Sequence, residues 1–399
     1  MLAVVIPALG DRGNVPGANG TVYVESNSSR PHSNAVLAFN YQDGVLTESG
    51  VRRYRTGGSG SHDLSNSGVL DSDQELIVNP SRTLLFAVNS SSDTIAIFHI
   101  APYGRLTPVV GSPFSSHGKA PASVGLAGHT LIVANKAQDG VRDLSRVHPN
   151  YTSFHVRRNG SLSAPISTIT VQRGASPLQA YVTPDHRVLI TSEETGVLRA
   201  FRIGRGGSLT QGPNSPQRLP DAAFAHNRRK SEVWPAGLES HPTLKILYAQ
   251  LANVSRTVVY RWNDDARLTF VRSLHNPHSF LPCWTHVNAA GTRMYSGNAG
   301  SDSLSVFDIT RPTRPREIQS VKLNAPGNPW NFQIDPTGRA IFMLDMRATR
   351  QLPPGEGNQL HSLRIGANGR LTEEPGSPIK IPVRTGTNPI GMAVVAGGG

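Results

Sequence analysis

An aromatic-centred triplet returns along this chain at Phe39, Phe98, Phe154, Phe201, Tyr260 and Phe307, and with the ring replaced at Leu363. The spacing is 47 to 59 residues, and each interval carries the same text. A Pro opens a short apolar strand, a polar turn follows, and a second strand ends in a polar residue, often Asn. The triplet then closes a third strand. The clearest copy runs Leu76-Ile77-Val78-Asn79-Pro80-Ser81-Arg82, Leu85-Phe86-Ala87-Val88-Asn89, Thr94-Ile95-Ala96-Ile97-Phe98 and Gly104-Arg105-Leu106-Thr107. The Gly-X-Leu-Thr hairpin recurs at Gly44, Gly207 and Gly369, is weaker at Gly160 and Ala266, and is lost near Arg316. Period-2 alternation within each copy suits a sheet packed on both sides. Repeats of this length reading as four short strands are blades. The expectation is an all-β, seven-bladed β-propeller with four-stranded antiparallel blades.

The two ends define how such a ring would close. After Leu371-Thr372 the chain continues to Asn388-Pro389-Ile390-Gly391-Met392-Ala393-Val394-Val395, an inner strand without a blade behind it. The N-terminal part begins instead at a second strand, Thr21-Val22-Tyr23-Val24. Residues 389–396 are expected to complete the blade begun at 20–58, making 1–399 one propeller domain. Closure removes open sheet edges.

Composition narrows the functional classes. Gly 39 and Pro 30 with only 17% charged residues suit tight turns and exclude a helical bundle. The formal charge is +12, densest at His226-Asn227-Arg228-Arg229-Lys230, without a nucleic-acid motif beside it. No apolar run is long enough to span a membrane. Cys283 is the only cysteine, which rules out an intrachain disulfide and a cysteine metal cluster. Met1 to Gly10 is apolar and short and lacks a basic region, so it does not read as a complete signal peptide. Sequons at Asn19, Asn27, Asn89, Asn150, Asn159 and Asn253 point weakly to a secreted or extracellular protein, with a cytoplasmic one as the alternative.

The tract Asn79-Pro80-Ser81-Arg82 with Phe86-Ala87-Val88-Asn89, and Pro282-Cys283-Trp284-Thr285-His286-Val287 with Tyr295-Ser296-Gly297-Asn298-Ala299-Gly300-Ser301, resemble the β-propeller lactonase family. That family includes 6-phosphogluconolactonase-like proteins and 3-carboxy-cis,cis-muconate cyclases. The resemblance runs from about Gly20 to Val395. It implies seven blades, no obligatory metal, and a pocket at one mouth of the central channel. Fold alone does not carry the chemistry.

The Pro-side and Asn-side connections are expected to meet at one mouth. Counting from Pro121, Pro177, Pro235, Pro282, Pro329 and Pro389, with Asp73 in the equivalent place, positions one, three and five are mostly apolar and expected between blades. Positions two and four are expected to line the channel: Glu75, Ser123, Gln179, Tyr181, Glu239, Trp284, His286, Asn331 and Gln333. His286 and Glu193 are the candidate proton carriers. Lys136 and Arg228 are the candidate anion clamps, and His148, Gln179, Trp284, Trp330 and Asp345 the further candidate substrate contacts. Trp234, Trp284 and Trp330 read equally as an apolar wall for a ring substrate or as a plug. The expected partner is a small anionic lactone or carboxylate, hydrolysed or cyclised by a monomer without a cofactor. The other reading is a secreted binding propeller without catalysis. A third is a calcium site built from Glu25, Asn135, Glu193, Asn298 and Asp345.

Overall fold

The computed structural model describes residues 19–62, 71–224, 233–325, 327–346 and 357–397. Seven antiparallel sheets of four strands follow one another around a ring, with a short extra outer segment in four of them. Blades are numbered here from the one that contains the chain ends. Their inner strands are Ile390–Ala396, Leu76–Val78, Pro121–Ala127, Tyr181–Val182, Pro235–Ser240, Pro282–Val287 and Pro329–Ile334. Apart from short 3₁₀ turns, every described element is a strand, and no described helix is long and apolar enough to cross a membrane.

The seven-fold text of the sequence has a direct packing cause. Seven apolar clusters are found, one at each interface between neighbouring blades. Each triplet centre fills the wedge toward the blade before it. Phe39 packs against blade seven, Phe98 against blade one, and so on round to Leu363 against blade six. All seven centres are buried, each worth roughly 1.5–3 kcal/mol of transfer free energy. Alternation serves the two neighbours in turn. On Gly20–Glu25, Val22 and Val24 face blade seven while Tyr23 faces blade two.

The ring closes as the chain ends predict. Ile390–Ala396 pairs antiparallel with Gly20–Glu25, placing Val22 opposite Val394 and Val24 opposite Met392. Blades seven and one then share a cluster like those at the other interfaces. Two sequons fall in this packed region. Asn89 is buried, and Asn27 uses Nδ2 on the Asn388 carbonyl (2.9 Å) and Oδ1 on the Ser61 amide, so neither is free to carry a glycan.

The hairpin glycines are needed twice over. Gly104 sits at φ +67°, and its carbonyl accepts the Tyr23 hydroxyl of the preceding blade at 3.0 Å. A Cβ there would lie 2.3 Å from Thr21 Oγ1. Gly369 repeats the arrangement with Tyr295 at 3.1 Å. Gly104→Ala is expected to destabilise by at least about 1–2 kcal/mol from the left-handed backbone alone, read as a lower urea midpoint. An unchanged midpoint would show that the two blades are not in close register.

One expectation fails. Position one after the inner-strand Pro does not pack between blades. In blades three, five, six and seven the register slips between the Pro and the second or third residue after it. A bulge of this kind re-aims the side chains beside it. Leu178, Ala236, Cys283, Trp330 and Ile390, from five different blades, therefore share one cluster with Trp284. Side chains from five blades can meet only on the axis. Positions three and five, such as Val124, Leu126, Phe332 and Ile334, do pack between blades.

Candidate functional site

Strand register puts the two kinds of connection at one end of the ring, as expected: Pro121 lies opposite Asn135, Pro177 opposite Glu193, Pro282 opposite Asn298 and Pro329 opposite Asp345. On the axis at that end sits the apolar cluster just described. Trp284 and Trp330 meet edge to face at 6.2 Å and are both buried. Among the described residues, the axis there is plugged rather than open.

The polar residues that end the second strands do not converge on that axis. Four of them are bound by a side chain on the adjacent third strand of their own sheet. Asn135 donates to Asn150 Oδ1 (2.9 Å) and Asn298 to Ser305 Oγ (2.9 Å). Glu193 is fully buried and takes a two-pronged bond from Arg199, Nε to Oε1 at 2.7 Å and Nη2 to Oε2 at 3.3 Å. Asp345 faces His361 Nε2 at 3.3 Å, and His361 Nδ1 meets Glu373 Oε1 at 2.6 Å. Burial pulls the His361 imidazole down, but the two flanking carboxylates outweigh it and hold it above its ordinary value. Glu193 and Asp345, two of the five ligands considered for calcium, are thus held by Arg199 and His361, and no group of three His, Cys, Asp or Glu suited to a metal occurs among the described residues.

Of the anion clamps, the described one reaches out of its own blade, to the entry of blade two and to blade four. Lys136 is buried, its Nζ donating to the Asp71 carbonyl (2.7 Å) and to Glu194 Oε1 (3.2 Å). His148 lies at the start of the third strand of blade three, Nδ1 against the Val171 carbonyl at 2.9 Å. Arg228, with His226, Arg229 and Arg347, lies outside the described residues.

Below the plug the axis turns polar. Asp73 is the hub. Its Oδ1 accepts Asn331 Nδ2 of blade seven at 2.9 Å, and its Oδ2 accepts Gln179 Nε2 of blade four at 3.4 Å. Asn331 Oδ1 in turn takes the Gly391 amide of the closing strand at 2.8 Å. Burial raises the Asp73 pKa, against the pull of the His286 charge and of its hydrogen bonds. Glu75, which bonds Ser72 Oγ at 2.8 Å, is raised well above the usual carboxyl range by burial and by the charge of Asp73.

At the opposite end of the inner strands, this polar axis opens into a cavity of about 280 Å³. His286 and Gln333 reach it from blades six and seven, and Leu76, Ile77, Val78, Leu126, Val182 and Met392 supply apolar wall. His286 Nδ1 lies 3.2 Å from Glu239 Oε2, and Nε2 lies 3.5 Å from Gln333 Nε2. Phe332 meets the imidazole edge to face at 4.8 Å. Glu239 is held on its other oxygen by the Tyr181 hydroxyl (2.7 Å) and the Ser240 amide (2.9 Å). Burial lowers the His286 pKa, but the Glu239 hydrogen bond and the charges of Glu239 and Asp73 outweigh it, so the net shift is upward. An amide N–H can only donate, so the Gln333 contact leaves Nε2 of the neutral ring as acceptor and puts the proton on Nδ1, facing Glu239. The arrangement is an imidazole oriented by a carboxylate, with its unprotonated nitrogen, which the Gln333 amide also meets, at the edge of a cavity. Chemically it can remove a proton from a water molecule.

The sequence therefore brought His286, Gln179 and the channel set to one axis, whereas Glu193 and Asp345 are held by partners on their own sheets and His148 by the Val171 carbonyl. The partner of His286 is Glu239, four residues after Pro235 as His286 is four after Pro282. The shared offset on adjacent blades was the signal for this pair. Asp73, taken only as a stand-in for the missing Pro, is the hub because no side chain of a proline could fill that place.

A closed ring of seven four-stranded blades is a seven-bladed β-propeller, and at the level of fold this chain resembles solved propellers of several names. It superimposes on the periplasmic gluconolactonase of Pseudomonas aeruginosa with TM-score 0.71 and 15% identity, over 96% of this chain and 100% of that one. A provisionally named 6-phosphogluconolactonase of Bacteroides fragilis gives TM-score 0.68 and 16% identity, over 98% and 100%. A hypothetical selenium-binding protein of Sulfolobus tokodaii gives TM-score 0.66 and 13% identity, over 96% and 95%. No family model matches the sequence, and no curated protein matches it.

Proposed function

We propose that this protein hydrolyses small lactones of low charge in the cavity beneath His286. The observation that carries the reading is the Glu239–His286 pair, aimed into a cavity whose other described lining side chains are uncharged, Gln74 and Gln333 among them. His286 Nε2 takes a proton from water as the water oxygen attacks the lactone carbonyl. The tetrahedral carbon then releases the ring oxygen, and His286 returns the proton to it, leaving the open hydroxy acid. Glu239 holds the imidazole in place through Nδ1 and balances its charge while it carries the extra proton. The Gln333 and Gln74 amides, which both line the cavity, are side-chain donors for a developing oxyanion.

The cavity lies at the small end of the roughly 300–1,000 Å³ typical of ligand sites, a size for a five- or six-membered ring. Among the described residues no Arg or Lys lines it. A muconate-like acid would therefore bring several carboxylates into a wall without a countercharge, which favours hydrolysis of a neutral ring over cyclisation of an anion. The lactonase names among the structural likenesses belong to those proteins and agree with this reading at the level of fold.

The test is a pH-stat assay on unsubstituted, hydroxylated and carboxylated γ- and δ-lactones. Neutral rings are expected to open faster than the buffer rate and faster than carboxylated ones. Inertness toward the whole panel would abandon the enzyme reading in favour of a binding propeller, and a preference for carboxylated rings would move the site away from His286.

A further inference from the structure

Several charged groups on this surface are paired with one another. Arg142 is paired with Asp93 and Asp139, Arg187 with Asp264, and Arg293 with Asp308. One groove departs from that pattern. It lies between blade one and the segment that leads into the closing strand, and holds about 450 Å³. Arg30, Arg53, Arg55 and Arg384 all line it, and among the described residues no Asp or Glu does. Among the described residues none of these four side chains has a carboxylate partner; Arg53 instead donates from Nη2 to the Pro382 carbonyl at 3.3 Å.

The four arrive from three separate stretches of chain. Arg53 and Arg55 stand two apart on the outer strand Arg52–Arg55, hence on one side of it. Arg30 comes from the loop after Gly20–Glu25, and Arg384 from the approach to Ile390–Ala396. Their charges are mutually unfavourable: burial lowers the Arg53 pKa, and the positive charges of Arg55 and Arg384 lower it further. Ser28 and Thr387 add hydroxyls to the same wall. Like charges gathered from three directions around one concavity, without an internal counterion, are a receptor for a compact anion with several oxygens. Guanidinium forks match phosphate and sulfate in this way.

We propose that this groove binds a tetrahedral oxyanion, phosphate or sulfate, free or as an ester, through Arg30, Arg53, Arg55 and Arg384. It shares no lining residue with the His286 cavity, so it stands independently of the hydrolysis reading. Because the arginines come from both sides of the seam that closes the ring, the bound anion ties the N-terminal strands to the C-terminal segment. Ligand binding there stabilises the closed propeller by mass action.

The experiment is a titration of the whole chain with inorganic phosphate and with inorganic sulfate, each at constant ionic strength balanced by chloride, followed by calorimetry and thermal unfolding. A saturable rise in Tm and a Kd below about 1 mM are expected. Arg55→Gln combined with Arg384→Gln, both exposed positions away from the channel, is expected to weaken binding at least about tenfold, whereas Arg205→Gln on blade four leaves it unchanged. Glucose 6-phosphate and a monosaccharide sulfate then distinguish the source, the tighter of the two naming the ester. A chloride control that reproduces the rise in Tm, a double variant with undiminished affinity, or an equal loss in Arg205→Gln would each overturn the site.

Discussion

Substituting His286 by Gln is expected to lower kcat/KM for lactone opening by about 10²–10⁴-fold, the usual worth of a positioned general base, with the far-UV spectrum of the propeller unchanged. Gln preserves volume and can still donate to Glu239, but it cannot accept a proton. The pH profile of the unsubstituted protein adds a second reading. Catalysis requires the neutral imidazole, and Glu239 and Asp73 hold the His286 pKa above its ordinary value despite burial. Activity should therefore fall as the pH drops through a point higher than the roughly 6.5 of an unperturbed histidine. Glu239→Gln removes the largest favourable influence on the charged ring and should move that acid limb to lower pH, with a smaller loss of rate than His286→Gln. The same linkage acts on stability. A raised folded pKa contributes stability that is complete below the unfolded value and disappears as pH rises through the folded one. An acid limb that stays in place in Glu239→Gln, or a His286→Gln variant with full turnover, would remove this pair from the chemistry.

The ring was legible because packing writes itself into the sequence. A wedge-filling side chain is required once per blade interface, so Phe39 to Leu363 return at blade spacing. A hairpin that must approach the preceding blade needs Gly, so Gly44, Gly104, Gly207 and Gly369 return with it. The closure was legible for the same reason: Ile390–Ala396 had no neighbours of its own to pair with. The site was less so. Period-2 counting assigned the inner strands correctly beyond their bulges, which is why His286, Glu239 and Gln333 were placed together on the channel side. It failed before the bulges, where Trp330 turns inward to Trp284. Alternation carries no mark of an irregularity in the pleat. Nor does a residue's position at a strand end reveal whether its partner lies across the axis or on the next strand. Glu193 and Asp345 were given to the channel on position alone. Arg199 and His361, each on the adjacent third strand, claim them first.

That rival assignment of Glu193 leads to the second large effect. Arg199→Met is expected to destabilise the protein by about 3–5 kcal/mol, because it strands a carboxylate in a site with no solvent contact. The partner cannot relax outward: Glu193 is fully buried, and Tyr151, its other side-chain neighbour at 3.4 Å, is buried as well. Glu193→Leu alone leaves the guanidinium of Arg199 equally unmatched and should cost a similar amount. The double variant Glu193→Leu with Arg199→Met removes both charges together and should recover most of the loss, since well-packed apolar replacements of a buried pair are often neutral or better. Urea unfolding of the two single variants and the double one measures the coupling directly. Assayed on the same lactones, the refolded double variant also separates the two roles that the sequence left open. Turnover close to that of the parent means that Glu193 holds blade four together and nothing more, whereas a stable, folded, inactive double variant would return it to the reaction and displace Glu239 as the carboxylate that matters.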